Sequence, residues 1–262
     1  MRHSLRSFPG FVLVLVLIAG GCADLVTYSK DSRRAGIELY NRQAYADAAG
    51  AFRNAVRQNP RDYRSYYYLG ACNDQLGHYQ QAIAAYKTSY QVIDTTVDGR
   101  QDPDFRYRVL NGLAGAIARS DTREIELNSL ENRVRTRSIP DDHYLLAKVY
   151  ALRGDADRAI QSFERVITIA PNNFHYAREA GLYLESLGQH DRAVPILQRA
   201  YSLNNHDPQV IAALRRLNVV PGPSLKEEQQ LARPLIPKGP IPTPRLPGSG
   251  VSAGEVDPII RD

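Results

Sequence analysis

From Ser29 to Asn218 the apolar positions fall in short runs at helical spacing, broken by glycines and prolines. The runs come in pairs, and the pairs repeat. Gly36, Ala48, Phe52, Ala55 and Pro60 mark one pair. Moved on by 34 residues, the same slots hold Gly70, Ala82, Tyr86, Ser89 and Asp94. A later register gives Ala147, Ala159, Phe163, Val166 and Pro171, and a further 34 residues gives Gly181, Ala193, Leu197, Ala200 and Asn205. Small, small, large apolar, small or β-branched, helix stop: the pattern recurs four times without a gap inside any unit. It predicts two helices per unit, with Gly77, Gly154 and Gly188 ending the first helix at a tight turn. The small residues let the paired helices approach closely, and Phe52, Tyr86, Phe163 and Leu197 fill the space toward the following unit. Pro60 and Pro171 stop the second helix.

The units so defined are Ser29–Asp62, Tyr63–Thr96, Pro140–Asn173 and Phe174–Asp207. Between the second and third of these, Thr95–Pro103 reads as a loop. Phe105–Ser138 supplies one more helix pair in which the signature residues are missing. Its apolar positions are Val109, Leu110, Leu113, Ala114 and Ile117, then Ile125, Leu127, Leu130 and Val134. Asp207-Pro208 makes a helix start, and Val210, Ile211, Leu214 and Leu217 form one face of a capping helix. A 34-residue helix-turn-helix with these slots resembles the tetratricopeptide repeat, over Ser29 to about Asn218. The resemblance implies an all-α fold, a right-handed superhelical solenoid of helix-turn-helix repeats with a C-terminal capping helix. It implies binding of other proteins rather than catalysis. The sub-families that it looks like are the tetratricopeptide lipoproteins of bacterial pilus and secretion systems, of the tight-adherence or type IV pilotin kind, and the outer-membrane assembly lipoprotein.

The ends differ from the middle. A basic start is followed by the apolar run Phe11–Ala19 and then Gly20-Gly21-Cys22, which reads as a signal peptide over 1–21. Phe11 to Gly21 would reach roughly 16 Å as a helix, short of a hydrocarbon core of about 30 Å. Ala19-Gly20-Gly21-Cys22 resembles the bacterial lipobox, which implies that Cys22 is the acylated mature N-terminus, followed by a linker over 22–28. An ordinary cleaved signal and an uncleaved anchor are the alternatives. Ala23 after the cysteine points to the outer membrane, facing the periplasm, by the enteric sorting rule. The stretch 219–262 holds nine of the 16 prolines, which predicts a disordered, polyproline-like tail. Gly239–Pro247 within it is either a spacer or a ligand for a proline-recognising domain. The expected divisions are thus 1–21, 22–28, 29–96, 97–139, 140–207, 208–218 and 219–262.

Composition fits a globular protein, with 43% hydrophobic and 23% charged residues. A net charge of +5 with both signs interspersed argues against a dedicated nucleic-acid binder. The six histidines show no metal-binding helical pairing, and no phosphate loop, nucleophile elbow or zinc-protease motif occurs. No catalytic residue, cofactor or metal is therefore expected. With Cys22 acylated, Cys72 is left as a lone thiol and reads as a buried small residue.

Function is expected on the concave face, which the first helices line. Positions three before, one after and four after the close-packing small residue share a stripe. They are Arg33, Ile37 and Tyr40; Tyr67, Ala71 and Asp74; Tyr144, Lys148 and Ala151; Arg178, Leu182 and Glu185. As a groove, this lining suits an extended or helical peptide from an envelope protein; the other reading is ordinary solvated helix surface. The oligomeric state is left open. Within the tyrosine run of Asp62–Gly70, the repeat pattern assigns Tyr66 to the space between helices. It predicts that Tyr66→Ala costs about 3 kcal/mol or more and Tyr68→Ala little.

Overall fold

The structure is a computed structural model and describes residues 17–222. The first part of the expected leader and the proline-rich segment from 223 onward lie outside the described residues. Twelve helices and no strand occur among those described. The first unit is α1 (Leu17–Asn41) and α2 (Tyr45–Gln58); the second is α3 (Tyr63–Gln75) and α4 (Tyr79–Ile93). After α5 (Val97–Arg100), the middle unit is α6 (Pro103–Arg119) and α7 (Arg123–Thr136). Then come α8 (Pro140–Arg153) with α9 (Ala156–Ile169), α10 (Phe174–Ser186) with α11 (His190–Leu203), and the cap α12 (Pro208–Arg216). These are the pairs that the 34-residue spacing predicts.

Local chemistry fixes many of the boundaries. Asp62, Asp102, Asp155, Asn173 and Asp207 cap α3, α6, α9, α10 and α12, each side chain accepting a backbone N–H of the first turn. Gly77, Gly154 and Gly188 stand at φ of 74°, 77° and 71°, the left-handed conformation that reverses the chain between paired helices. In the first unit Gln43 takes that place, at φ 61°.

The pairs close on a ring-to-glycine contact. A Cβ built on Gly36 would stand 2.8 Å from the Phe52 ring, and one on Gly70 2.8 Å from the Tyr86 ring. One on Gly181 would stand 2.7 Å from Leu197. Ala48, Ala82, Ala159 and Ala193 are fully buried beside these contacts. The large residues therefore pack first on the glycine of their own unit and only then reach the next. Phe52 also stacks on Tyr68, at 5.3 Å between centroids, and Tyr86 also lies against Gly112 of α6.

Two expectations need correcting. The segment Thr95–Pro103 is not all loop: α5 makes one helical turn inside it, capped by Thr96, whose Oγ1 accepts from the Gly99 amide at 3.1 Å. Gly99 is buried so tightly that a Cβ would fall 2.1 Å from the Ile93 carbonyl oxygen. The tyrosine assignments are reversed as well. Tyr66 joins none of the buried clusters, whereas Tyr68 packs on Phe52, Tyr40 and Tyr67 at 5.3 to 5.6 Å. Tyr63 is buried against Phe105. The ring of Tyr68 is drawn back onto the first unit because Phe52, seated on Gly36, offers it a flat partner.

The packing predicts that Gly70→Ala destabilises by about 1–3 kcal/mol, through overpacking against Tyr86. Tyr68→Ala should cost about 2–3 kcal/mol, from lost burial and stacking. Tyr66→Ala should change stability by under about 1 kcal/mol. Urea unfolding of the three variants measures the order, and a Tyr66→Ala loss larger than that of Tyr68→Ala would contradict the packing described.

Candidate functional site

The first helices α1, α3, α8 and α10 carry the stripe picked out by sequence, and the structure places its members in two different situations. The charged ones are tied between units. Arg33 donates to Asp62 at 2.8 Å, Asp74 accepts from Arg119 at 2.6 Å, and Lys148 meets Glu179 at 2.7 Å. Arg178 bridges Glu179, at 2.8 Å, and the α12 cap Asp207, at 3.4 Å. Glu185 takes both a 2.7 Å and a 2.9 Å bond from Arg216 of the cap. Apart from Arg178–Glu179, which lies within α10, each pair links one first helix to the next first helix or to the cap α12. They couple units as well as colouring the surface.

The apolar members are half-buried. Ile37 and Tyr40 pack in the first-unit cluster, Tyr67 on Phe105 at 5.0 Å, and Leu182 against the last-unit core. Ala71 and Tyr144 are buried and correct the expectation, and Tyr144 is 0% exposed. Its ring lies among Tyr107, Phe163 and Tyr176, and its hydroxyl donates to Asn111 at 2.8 Å. It offers no surface to a ligand, because α8 packs directly on α6 and draws Tyr144 beneath that helix.

That direct packing of one first helix on another belongs to the middle unit. Helix α7 contributes only Leu127 and Leu130 to the buried set, and its contacts are largely polar. Lys87 meets Glu126 at 2.6 Å, Arg133 meets Asp142 at 3.0 Å, and Arg153 meets Glu124 at 2.8 Å. Glu124, Asn128 and Glu131 turn toward the α8–α9 junction and line, with Arg153, Asp155 and Arg158, an open polar cleft of about 500 Å³. Its charged groups answer one another. Glu124 holds Arg153, Asp155 holds Arg158 at 3.2 Å, and Glu131 accepts from the Tyr150 hydroxyl.

A buried polar knot joins the two halves of the array. Asp141, near the start of α8, accepts from Arg106 Nε at 2.7 Å, from the Tyr90 hydroxyl at 2.6 Å and from the Tyr176 hydroxyl. Arg106 reaches on to Asp94. Helices α4, α6, α8 and α10 thus meet at one carboxylate. Burial pushes the Tyr90 and Tyr176 phenols well above their usual range, and the Asp141 charge adds to it. Burial also pushes the Cys72 thiol up to about 12, so it sits as an inert apolar group in the first-unit core.

Sequence reasoning missed Arg108, Gly112 and the Tyr86 hydroxyl as parts of the open face. One signal was available: Gly112 follows Phe105 by seven residues, as Gly70 follows Tyr63. Among the described residues no group of three or more His, Cys, Asp or Glu is placed to hold a metal ion.

Removing the charge at the knot should be costly, since it leaves the part-buried Arg106 with only the more exposed Asp94 and takes the acceptor from the Tyr90 and Tyr176 hydroxyls. Asp141→Ala is expected to destabilise by about 3 kcal/mol, read from the urea midpoint. Stability should also fall on mild acidification. Burial holds His143 below its ordinary value of 6.5, with Arg165 lowering it further; His175, stacked on Tyr107, is lowered by burial and partly restored by Asp104. The unfolded chain therefore protonates first. This contribution is complete above the unfolded value and is lost as the pH falls through it toward the folded values. Urea midpoints at about pH 7.5 and about pH 5.5 should differ, and His143→Gln should shrink the difference. An unchanged difference in that variant would remove His143 from the account.

Tetratricopeptide-repeat family models match residues 33–95, 140–173 and 179–207. No curated protein matches the chain. Among solved structures, the chain is similar to TTC0263, a thermophilic tetratricopeptide protein of Thermus thermophilus. The identity is 20%, over 72% of this chain and 98% of that one, with a TM-score of 0.46. It is similar also to YrrB, described as a tetratricopeptide protein with an unusual peptide-binding site, at 14% identity over 70% and 90%, TM-score 0.37. A third is MamA, at 21% identity over 65% and 94%, TM-score 0.35. The repeating helix pairs and their turns thus coincide, over residues 33–95, 140–173 and 179–207, with segments that match tetratricopeptide repeats.

Proposed function

We propose that the protein is a lipid-anchored scaffold of the bacterial envelope, facing the periplasm. It would hold segments of other envelope proteins on the open face of its first helices. The observation that carries this reading is the continuity of that face. Helices α1, α3, α8 and α10 present half-buried aromatic and aliphatic groups beside charged pairs, with the array closed off by α12. Tetratricopeptide repeats serve as protein-binding scaffolds, which supports the coarse part of the proposal. The finer part, assembly of a pilus, a secretion system or an outer-membrane complex, rests on the lipobox-like sequence at Cys22 and on the repeat. A second reading within the same class is an adaptor that recruits cell-wall enzymes, with the proline-rich tail as its spacer.

The geometry of α1 bears on the anchor. This helix is continuous from Leu17 to Asn41, so the expected linker 22–28 is helical. No helix among the described residues is long and apolar enough to cross a membrane. With cleavage before Cys22, the acylated residue would open α1 and stand about 10 Å along the axis from Ser29. The array would then lie close against the bilayer.

Cys22→Ser is expected to abolish fatty-acyl labelling and to leave the protein unprocessed or in the soluble fraction. Unchanged labelling and membrane fractionation in that variant would refute the anchor. For the scaffold, in-cell crosslinking of the full chain should recover the same few envelope proteins with and without the proline-rich tail. Hydrolysis of cell-wall or peptide substrates by the purified chain alone would sink it.

A further inference from the structure

Helix α6 is packed by α3, α4, α7 and α8 and leaves one stripe uncovered. Asp104, Arg108, Gly112 and Arg119 follow that stripe at helical spacing. Around Arg108 the contacts close into a circuit. Its guanidinium lies 4.7 Å above the Phe105 ring, and Phe105 meets Tyr67 at 5.0 Å. Tyr67 tilts onto Tyr86 at 5.7 Å, and Tyr86 lies under Gly112, where a Cβ would stand 2.6 Å from its Cζ. Gly112 is one turn on from Arg108. A second guanidinium, that of Arg64, stands 6.0 Å from the same Phe105 ring.

The charges around this notch do not balance. Each neighbouring carboxylate is already held: Asp74 by Arg119 at 2.6 Å, Asp104 by His175 at 3.0 Å, and Asp102 by Arg64 at a long 3.5 Å. Arg108 is exposed and makes no ion pair among the described residues. Tyr86 is 3% exposed, yet its hydroxyl makes no hydrogen bond among the described residues, and neither does that of Tyr67. A guanidinium offers only donors, and one that lies over an aromatic ring without a counter-charge keeps donors available for a planar acceptor.

We propose that this notch takes an aspartate or glutamate side chain of the bound segment. The carboxylate would sit on Arg108, and the flanking backbone would cross Gly112 beside the Tyr67 and Tyr86 hydroxyls. Glycine at 112 matters because a Cβ there would stand 2.6 Å from Tyr86 Cζ and displace the ring that floors the crossing. The partner of the central unit is therefore an acidic extended segment, and selectivity lies in the unit whose repeat pattern is most eroded. This rests on the open face being the binding face.

The test is to pan the full chain, in detergent, against a displayed library of random dodecapeptides. Enriched peptides are then made with blocked termini, so that only side chains carry charge. They should be enriched in Asp and Glu over the library. Their affinity should fall about tenfold in Arg108→Gln, or when the acidic residue is amidated, as for loss of one charge-assisted bond. Arg108→Gln, being exposed, should keep the parental unfolding midpoint. Peptides that protect α3, α6 and α8 from hydrogen exchange but show no acidic bias and no Arg108 dependence would overturn this inference and leave the binding face standing. Enrichment of no peptide, or protection elsewhere, would overturn both.

Discussion

The array depends on how closely two helices of a unit can approach. That distance is set where an aromatic or leucine side chain lies on a bare glycine backbone: Phe52 on Gly36, Tyr86 on Gly70, Leu197 on Gly181. A Cβ at any of these positions would intrude to under 3 Å, so neither residue of the pair varies without the other. Close approach then determines what the large side chain can reach beyond its own unit. Phe52 stacks on Tyr68, and Tyr86 extends to Gly112, so the contact that closes one unit also positions the next. A solenoid has no long-range core, and this chaining of short contacts stands in its place.

The middle unit shows what happens when the rule lapses. Its second helix carries Glu124, Asn128 and Glu131 on a side that faces the α8–α9 junction, and only two leucines are buried. Such a helix cannot hold its neighbours apart by apolar packing. Helix α8 closes directly on α6 instead, with Val109, Leu113 and Ile117 meeting Leu145, Leu146 and Val149 in one cluster. The new contact brings Asp141 within reach of Arg106, Tyr90 and Tyr176, and a buried carboxylate is tolerable there because three donors meet it. Polar groups thus replace lost apolar packing where the two halves of the array join.

The fold was legible because helix pairs impose fixed spacings on small and large residues, and those spacings survive in four units. The turn glycines, the cap at Asp207 and the stops at Pro60 and Pro171 could be read directly. Two things could not. One was the side on which a tyrosine turns: Tyr66 and Tyr68 differ by two residues, and only the seat of Phe52 decides that Tyr68 is the packed one. The other was the partner of a charged stripe residue. Arg33 and Asp62 lie 29 residues apart, and Asp74 and Arg119 lie 45 apart. Nothing in a one-dimensional pattern joins them, so the stripe reads as free surface until the units are stacked. Gly112 was visible at its repeat spacing, but it packs on the preceding unit rather than its own.

That stacking changes what the stripe means. Ion pairs between units commit the charges of Arg33, Asp74, Lys148, Arg178 and Glu185 to geometry, holding successive first helices at fixed offsets. Partly exposed pairs of this kind add little stability singly, but as a ladder they set register. Breaking one to bind a ligand would forfeit the pair and loosen the joint. A ligand is recognised more readily by groups that the fold leaves uncommitted. On the central first helix that group is Arg108, held in place by an aromatic ring rather than by a counter-charge, and so already oriented when a partner arrives. In such an array the regular units supply the ruler, and the irregular one is where a residue is free to choose.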